Sequence, residues 1–418
     1  MRVLLIGSGG REHALGWKLV QSPEVNELLS LPGNPGLAEL GPLIEGVDPT
    51  DVGAVAALAR VHAIDFVVVG PEAPLAAGVV DALSGVGIPA FGPTRAAARL
   101  ESSKSFAKEI MARAGVPTPD AWTFDHPSDA EAHLRNHAGP YVVKADGLAG
   151  GKGVLVTSDQ EAAIGWAQRC LTEDLGGDDP RVVVEEYAAG PELSVFAICD
   201  GTRSLLFEPA RDYKRIGDGD TGPNTGGMGS YSPVQLPDDL LERVDSEVIR
   251  PVLDTMRSDG APYVGVLYAG LVLTVEGPKV IEFNCRFGDP ETQVVLARLE
   301  SDLFDVLRAA TTGGLEGVDL SWSADSVVNV VLAAHGYPEN PRKGDVIAGL
   351  ADSDGLVFHA GTVRDGKHLR TAGGRVMSVL GRGPDLATAR GEAYAAAETI
   401  TFKGKVIRTD IAASTAID

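Results

Sequence analysis

The segment 279–286 (KVIEFNCR) carries the sharpest chemistry in the chain. Alternate side chains of an extended strand share a face. Glu282, Asn284 and Arg286 then line one face, while Ile281, Phe283 and Cys285 turn toward a core. A carboxylate and an amide oxygen so spaced are hard oxygen ligands suited to Mg²⁺. Arg286 beside them suits an anionic substrate or a transferring phosphoryl group. A half-exposed strand with no ligand alternates in the same way. Asp289-Pro290-Glu291 follows and reads as the acidic N-terminus of the next helix.

Four other segments have chemical content. In 144–153 (KADGLAGGKG), Lys144 on a strand precedes a loop with Gly147, Gly150, Gly151, Lys152 and Gly153. Such a loop folds over a polyphosphate and donates several N–H groups; the plain alternative is a surface hairpin with solvated lysines. A Walker A loop is excluded by Asp146 and Gly153, which stand where glycine and Ser/Thr are required. In 7–12 (GSGGRE), Gly9, Gly10 and Arg11 follow a strand and open a helix, which aims N–H groups at an anion. Glu12 occupies the sixth position of the dinucleotide fingerprint, where glycine is needed, and this disfavours NAD. A phosphate on a small substrate and a turn with no ligand both stay open. Arg211-Asp212-Tyr213-Lys214-Arg215 leads into the glycine-rich run 217–229, with Asn224, Gly226 and Gly227. The run reads as a substrate-binding loop or a mobile surface loop; an EF-hand fails because Gly222 and Gly229 fall at ligand positions. Glu185 and Tyr187, followed by Glu192, fit a hinge that reads adenine by backbone and ribose by carboxylate, although most such acids are simply solvated. The histidines form no triad or metal pattern, and only His13 and His359 adjoin motifs.

These segments must be positioned by regular elements. Residues 1–103 alternate short apolar strands (3–6, 65–70) with helical patterns (11–21, 51–62, 75–83), the signature of a doubly wound parallel sheet. Ligands of such sheets sit at the strands' C-terminal ends, where the 7–10 turn and Gly70-Pro71-Glu72 fall. A break at 115–119 reads as a linker. Residues 104–325 form an α+β region with helices near 237–258 and 290–311, and 326–418 are strand-rich and form a smaller domain. The length of 418 residues fits about three domains. A net charge of −22 opposes nucleic acid and anionic membranes, so anionic substrates need locally gathered basic groups. The three cysteines are widely spaced, which argues against a disulfide framework or cysteine zinc site and fits a reducing cytoplasm. No targeting or spanning segment is expected.

Taken together, these segments make the chain resemble the phosphoribosylamine–glycine ligases (glycinamide ribonucleotide synthetases) of the ATP-grasp superfamily. The likeness runs almost end to end. It rests on Gly9-Gly10-Arg11-Glu12-His13-Ala14, Val69-Gly70-Pro71-Glu72-Ala73-Pro74-Leu75, Lys144-Ala145-Asp146-Gly147-Leu148-Ala149, the run 220–229 (DTGPNTGGMG) and the run 281–292 (IEFNCRFGDPET). The resemblance implies a doubly wound N-terminal domain, an ATP-grasp lid at about 122–189, a central α+β domain and a small C-terminal domain. It implies that ATP, glycine and 5-phosphoribosylamine give glycinamide ribonucleotide, ADP and phosphate through glycyl phosphate. It also implies a monomer. By that resemblance Lys104 and Lys144 neutralise ATP phosphates, loop 147–153 covers them, Glu185 and Tyr187 frame adenine, and Glu192 takes the ribose. Glu282 and Asn284 hold two Mg²⁺ or Mn²⁺ ions. Asp212, Lys214 and Arg286 position glycine. The 7–10 turn and Glu72 hold the phosphoribosyl group, and loop 224–227 lies against the substrates.

Three residues depart from the family pattern. Gly150 adds a glycine to the lid loop, Tyr213 stands where many relatives have His, and Pro35 replaces a small residue. The rival readings are another purine-pathway ATP-grasp ligase, a nucleotide sensor without catalysis, and a dehydrogenase. The intact Glu282, Asn284 and Arg286 argue against the sensor, and Glu12 against the dehydrogenase.

Overall fold

A computed structural model describes residues 1–150, 153–172 and 180–413. The N-terminal sheet is parallel, in the order Glu27–Pro32, Arg2–Gly7, Phe66–Val69, Ala90–Phe91. Its strands are apolar on both faces because helices cover both. Leu4, Ile6 and Val67 pack against the helix Val52–Val61 and its neighbours, while Val3, Leu5 and Phe66 meet the helix Gly10–Leu19. The order reverses about the first strand, so its end at Gly7 and that of Phe66–Val69 at Gly70 border one crevice. The expected helix 75–83 is two short ones, Glu72–Ala77 and Val79–Gly85, parted at Gly78, whose φ of +95° suits glycine.

The lid is a four-stranded antiparallel sheet, in the order Ala121–Phe124, Val182–Glu186, Tyr141–Ala145, Val154–Thr157. The helices Pro127–Asn136 and Gln160–Thr172 close a small core on one of its faces. The central antiparallel sheet runs Ser204–Leu206, Glu192–Asp200, Val264–Thr274, Gly277–Asn284. Alternate residues such as Leu267 and Ala269 face Lys104–Ala114 and the helices after 240; Val266 and Tyr268 face Glu291–Arg298 and Leu303–Thr311. The strand Val264–Thr274 is thus buried on both faces over residues 265–272.

The strand-rich C-terminal region holds a five-stranded sheet. Two of its strands, Arg211–Asp212 and Gly229–Ser232, come from the central region, and the second pairs with Ser326–Ala333. The segment 211–232 therefore begins and ends in this sheet, with a two-stranded ribbon of its own, Arg215–Gly217 and Thr221–Asn224, between the two strands. Residues 115–119 are not a free linker. The Val280 N–H donates to the Pro117 carbonyl (2.8 Å), and Thr118 Oγ1 donates to the Val280 carbonyl (2.6 Å). This anchors the crossing to the strand that carries Glu282. Among the described residues, no helix is long and apolar enough to cross a membrane.

Candidate active site

A cavity of about 480 Å³ lies between the lid, the central sheet and the N-terminal crevice, and Arg375 reaches it from the C-terminal sheet. The strand Gly277–Asn284 forms its floor. Alternation there is not simple. Leu271 pairs with Val280 and Gly270 with Glu282, which leaves Ile281 as the extra residue of a β-bulge. Ile281 is consequently half-buried on the cavity wall instead of in the core, where Val280, Phe283 and Cys285 lie. The bulge re-aims Glu282 and Asn284 into the cavity.

Glu282 makes no hydrogen bond or ion pair among the described residues. Burial opposes its ionisation, but Lys214, Lys144, Lys104 and Arg286 outweigh that and hold its carboxyl below the usual range. Asn284 Oδ1 accepts from Arg286 Nη2 at 3.2 Å. An uncommitted carboxylate beside an amide oxygen is a donor set that fits a hard divalent cation. Among the described residues no three His, Cys, Asp or Glu side chains cluster to complete such a site, so other ligands would come from substrate oxygens or water.

The lid end of the cavity is basic at its wall and apolar at its mouth. Lys144 donates to the Ile281 carbonyl (2.9 Å) and pairs with Glu185 (2.9 Å); Lys108 meets the other Glu185 oxygen at 3.3 Å. Glu185 is 4% exposed, so its carboxylate is committed to two lysines, and burial brings Lys108 down to about 8 against the pull of Glu185. Lys104 donates to the Gly147 carbonyl at 2.9 Å, and burial lowers its pKa. Asp146 accepts from the N–H of Lys104 (2.5 Å), which fixes the start of the glycine loop against the helix Lys104–Ala114. Val142, Val154, Met111 and Phe283 supply flat apolar walls, with Tyr187 half exposed at the rim.

The opposite end is a web of paired charges. Arg286 meets Glu72 at 3.2 Å and Glu101 at 3.1 Å. Glu101 also accepts from the Cys285 N–H at 2.8 Å. Burial pushes the Glu101 pKa up; for Glu72, Arg286 and Arg11 outweigh burial and lower it. Lys214 pairs with Glu192 (2.7 Å), and burial together with Glu291 and Glu192 pushes Asp212 up to about 8 despite Lys214. Glu291, 3% exposed, is not a solvated helix cap: its Oε1 accepts from Tyr268 (2.8 Å) and Ser194 (3.2 Å). Arg375 pairs with Asp289 at 3.1 Å and donates to the Gly226 carbonyl.

Seventeen sequence-predicted residues meet in this one cavity: Arg11, Glu72, Lys104, Lys144, Gly147, Gly150, Gly153, Glu185, Tyr187, Glu192, Asp212, Lys214, Asn224, Gly226, Glu282, Asn284 and Arg286. Gly151 and Lys152 lie outside the described residues. Gly9, Gly10 and Gly227 do not reach the wall. The reason at the 7–10 turn is Glu12, whose Oε2 accepts the Gly9 N–H (2.6 Å) and fills the helix mouth with a built-in carboxylate. Gly10 faces Gln293 and Ser378, and Gly227 abuts Pro290. Run 217–229 is not an open loop but contains a ribbon, Arg215–Gly217 with Thr221–Asn224. His13 and His359 are buried away from the cavity. The His359 N–H donates to His13 Nδ1 (2.8 Å), and burial holds the rings at about 3 and about 4, hence neutral. Sequence reasoning missed Glu101, Lys108, Tyr268 and Arg375, and took Glu291 only as a cap. Lys108 lies one helical turn after Lys104, a usable signal; Arg375 has none.

The chain matches family models for phosphoribosylglycinamide synthetase over all three of their parts: the N domain (residues 1–101), the ATP-grasp (A) domain (102–292) and the C domain (327–414). It is 51% identical to a phosphoribosylamine–glycine ligase of Streptomyces coelicolor, over 100% of both chains, and 48% identical to one of Ralstonia nicotianae, over 98% of both. The crystal structure of a phosphoribosylamine–glycine ligase from Thermotoga maritima superposes with a TM-score of 0.87 at 35% identity, covering 98% of this chain and 100% of that one. A biotin carboxylase domain from Hydrogenobacter thermophilus, solved with MgADP, shares the fold at a TM-score of 0.74 and 15% identity over 97% of this chain and 91% of that one. The chain therefore belongs to the phosphoribosylglycinamide synthetase family, with its ATP-grasp domain flanked by the N and C domains.

Proposed function

We propose that this chain ligates glycine to 5-phosphoribosylamine at the expense of ATP, giving glycinamide ribonucleotide, ADP and phosphate. The observation that carries the reading is the single cavity running from an apolar, lysine-lined slot under the lid to an arginine-lined crevice on the N-terminal sheet, with Glu282, Asn284, Lys214 and Arg286 between. Adenine occupies the slot among Val142, Val154 and Phe283, beside Tyr187, and Glu185 acts through the lysines it holds. Glu192 takes the ribose. Lys104 and Lys144 neutralise the phosphates and the glycines 147–153 supply N–H donors.

Glu282 and Asn284 would hold Mg²⁺ or Mn²⁺, which when bound would supply charge neutralisation at the phosphoryl oxygens. Lys214 and Arg286 orient the glycine carboxylate for attack on the γ-phosphate and stabilise the resulting glycyl phosphate, beside Asp212. The amine of phosphoribosylamine, held from the Arg11 and Glu72 side near Asn224 and Gly226, then displaces phosphate. No side chain need form a covalent intermediate. Closure of the lid excludes water from the acyl phosphate. The same reading has the chain act as a cytoplasmic monomer. The test is isotopic: with labelled oxygen in the glycine carboxylate, the released phosphate must carry one labelled oxygen. Unlabelled phosphate would exclude the acyl phosphate route.

A further inference from the structure

The C-terminal segment 408–412 lies outside the cavity, yet it grips the chain that carries cavity residues at both ends. Arg408 is 2% exposed. Its Nη1 donates to Asp220 Oδ1 (2.7 Å) and to the Arg215 carbonyl (3.1 Å), and its guanidinium stands 4.9 Å over the Tyr213 ring. The Thr409 N–H donates to Asp218 (2.8 Å), the Gly219 N–H donates to Asp410 (2.9 Å), and the Ala412 N–H donates to Tyr213 Oη (2.9 Å). The ribbon turn so held is strained, because Asp220 sits at a φ of +54°, uncommon for a residue with a side chain.

The segment is itself fixed. Arg390 donates to the carbonyls of Ile411 (3.0 Å) and Thr409 (2.6 Å), and Tyr394 Oη donates to that of Arg408 (2.7 Å), all from the helix Leu386–Thr399. Tyr213 stands between Asp212 and Lys214. Its side chain is committed to the C-terminal segment while theirs line the cavity, as strand alternation requires. On the far side of the ribbon, Asn224, Thr225 and Gly226 return to the cavity.

We propose that segment 408–412 is a positioning element of the active site, and that Arg408 is a positioning residue that sets Lys214 on one side of the ribbon and Asn224 to Gly226 on the other. The inference rests on the ligase reading for the identity of the substrates. Adenine and phosphate contacts come from the lid and from Lys104, which the segment does not touch, while only the ribose contact, Glu192, meets Lys214, so the glycine end of the cavity should respond more strongly than the nucleotide end.

The experiment measures kcat and KM for glycine, the Kd of a non-hydrolysable ATP analogue, and the thermal midpoint, in wild type, Arg408→Lys and Asp220→Asn. The Asp220 carboxylate is 71% exposed, so its variant reads the same contact without a buried change. We expect kcat/KM for glycine to fall about tenfold in Arg408→Lys and about threefold in Asp220→Asn, with analogue Kd within about twofold of wild type. Full glycine activity in folded Asp220→Asn and Arg408→Lys would overturn the proposal, as would an equal loss of analogue binding. If Arg408→Lys fails to fold, Asp220→Asn alone decides. Wild-type turnover that ignores glycine would instead sink the ligase reading and leave the analogue data standing.

Discussion

Glu185 and its two lysines give the most exacting test of how the lid is held on the central domain. Replacing Glu185 by Gln keeps the shape and removes the charge. Lys144 at 2.9 Å and Lys108 at 3.3 Å each lose an attraction of about 5 kcal/mol at an effective dielectric of about 20. Most of that is offset in the wild type by the desolvation of three enclosed groups, so the net loss is smaller. Removing one member of a buried ion pair costs about 3–5 kcal/mol, because the other is left uncompensated. Lys108 offers partial relief: its pKa is already down to about 8. Shedding its proton at pH 7 costs about 1.4 kcal/mol for each unit between. We therefore expect Glu185→Gln to lose about 3 kcal/mol, at the low end of that range. We also expect the Lys108→Met, Glu185→Gln double variant to recover at least about 1 kcal/mol of it. Urea denaturation at pH 7, read by far-ultraviolet circular dichroism without nucleotide, measures both. A loss under about 1 kcal/mol in the single variant, or further loss in the double, would refute the reasoning.

Other expectations concern the chemistry and its pH dependence. Glu282→Ala should lower turnover by about a thousandfold, corresponding to about 4 kcal/mol of charge stabilisation. The fold should survive, because among the described residues Glu282 has no hydrogen-bond partner to abandon; near-normal turnover would remove the metal assignment. Asp212, up at about 8, keeps a proton that the unfolded chain releases near pH 4. Its contribution to stability is thus full below about 4 and lost as pH rises toward 8. Thermal midpoints from pH 5 to 8 should therefore fall more in wild type than in Asp212→Asn, and the opposite ordering would contradict the assignment. Lys108 has the reverse sign: between about 8 and 10.5 the unfolded chain holds the extra proton, so Lys108→Met should flatten a rise in stability over that window. Gly227→Ala places a Cβ 2.3 Å from Pro290 at a φ of +109°, and should cost about 2 kcal/mol and slow glycine turnover through Gly226, measured by denaturation and kinetics.

Much of the site was legible because its chemistry is local. Glu282, Asn284 and Arg286 sit within one short run, and Lys144 begins another, so residue type and spacing sufficed to bring them to one cavity. What stayed hidden depends on distant packing. The bulge at Ile281 adds a residue that no alternation of apolar and polar types announces. The fate of the 7–10 turn hinged on where Glu12 folds back, and that carboxylate now answers the N–H that the motif offered to a ligand. Arg375 enters from a strand of the C-terminal sheet, and Glu101 meets Arg286 only because the helix Arg99–Ser102 packs beside the floor strand. The sheet that joins 211–232 to the C-terminal strands is likewise a long-range pairing that propensity cannot foresee.

Three substrates are ligated in one cavity in this reading. It is tested most directly by following phosphate release from ATP with Mg²⁺, glycine and phosphoribosylamine generated in place, omitting each component in turn. Phosphate should be released only when all are present, with glycinamide ribonucleotide appearing in equal amount. Release that persists at full rate without glycine would contradict it.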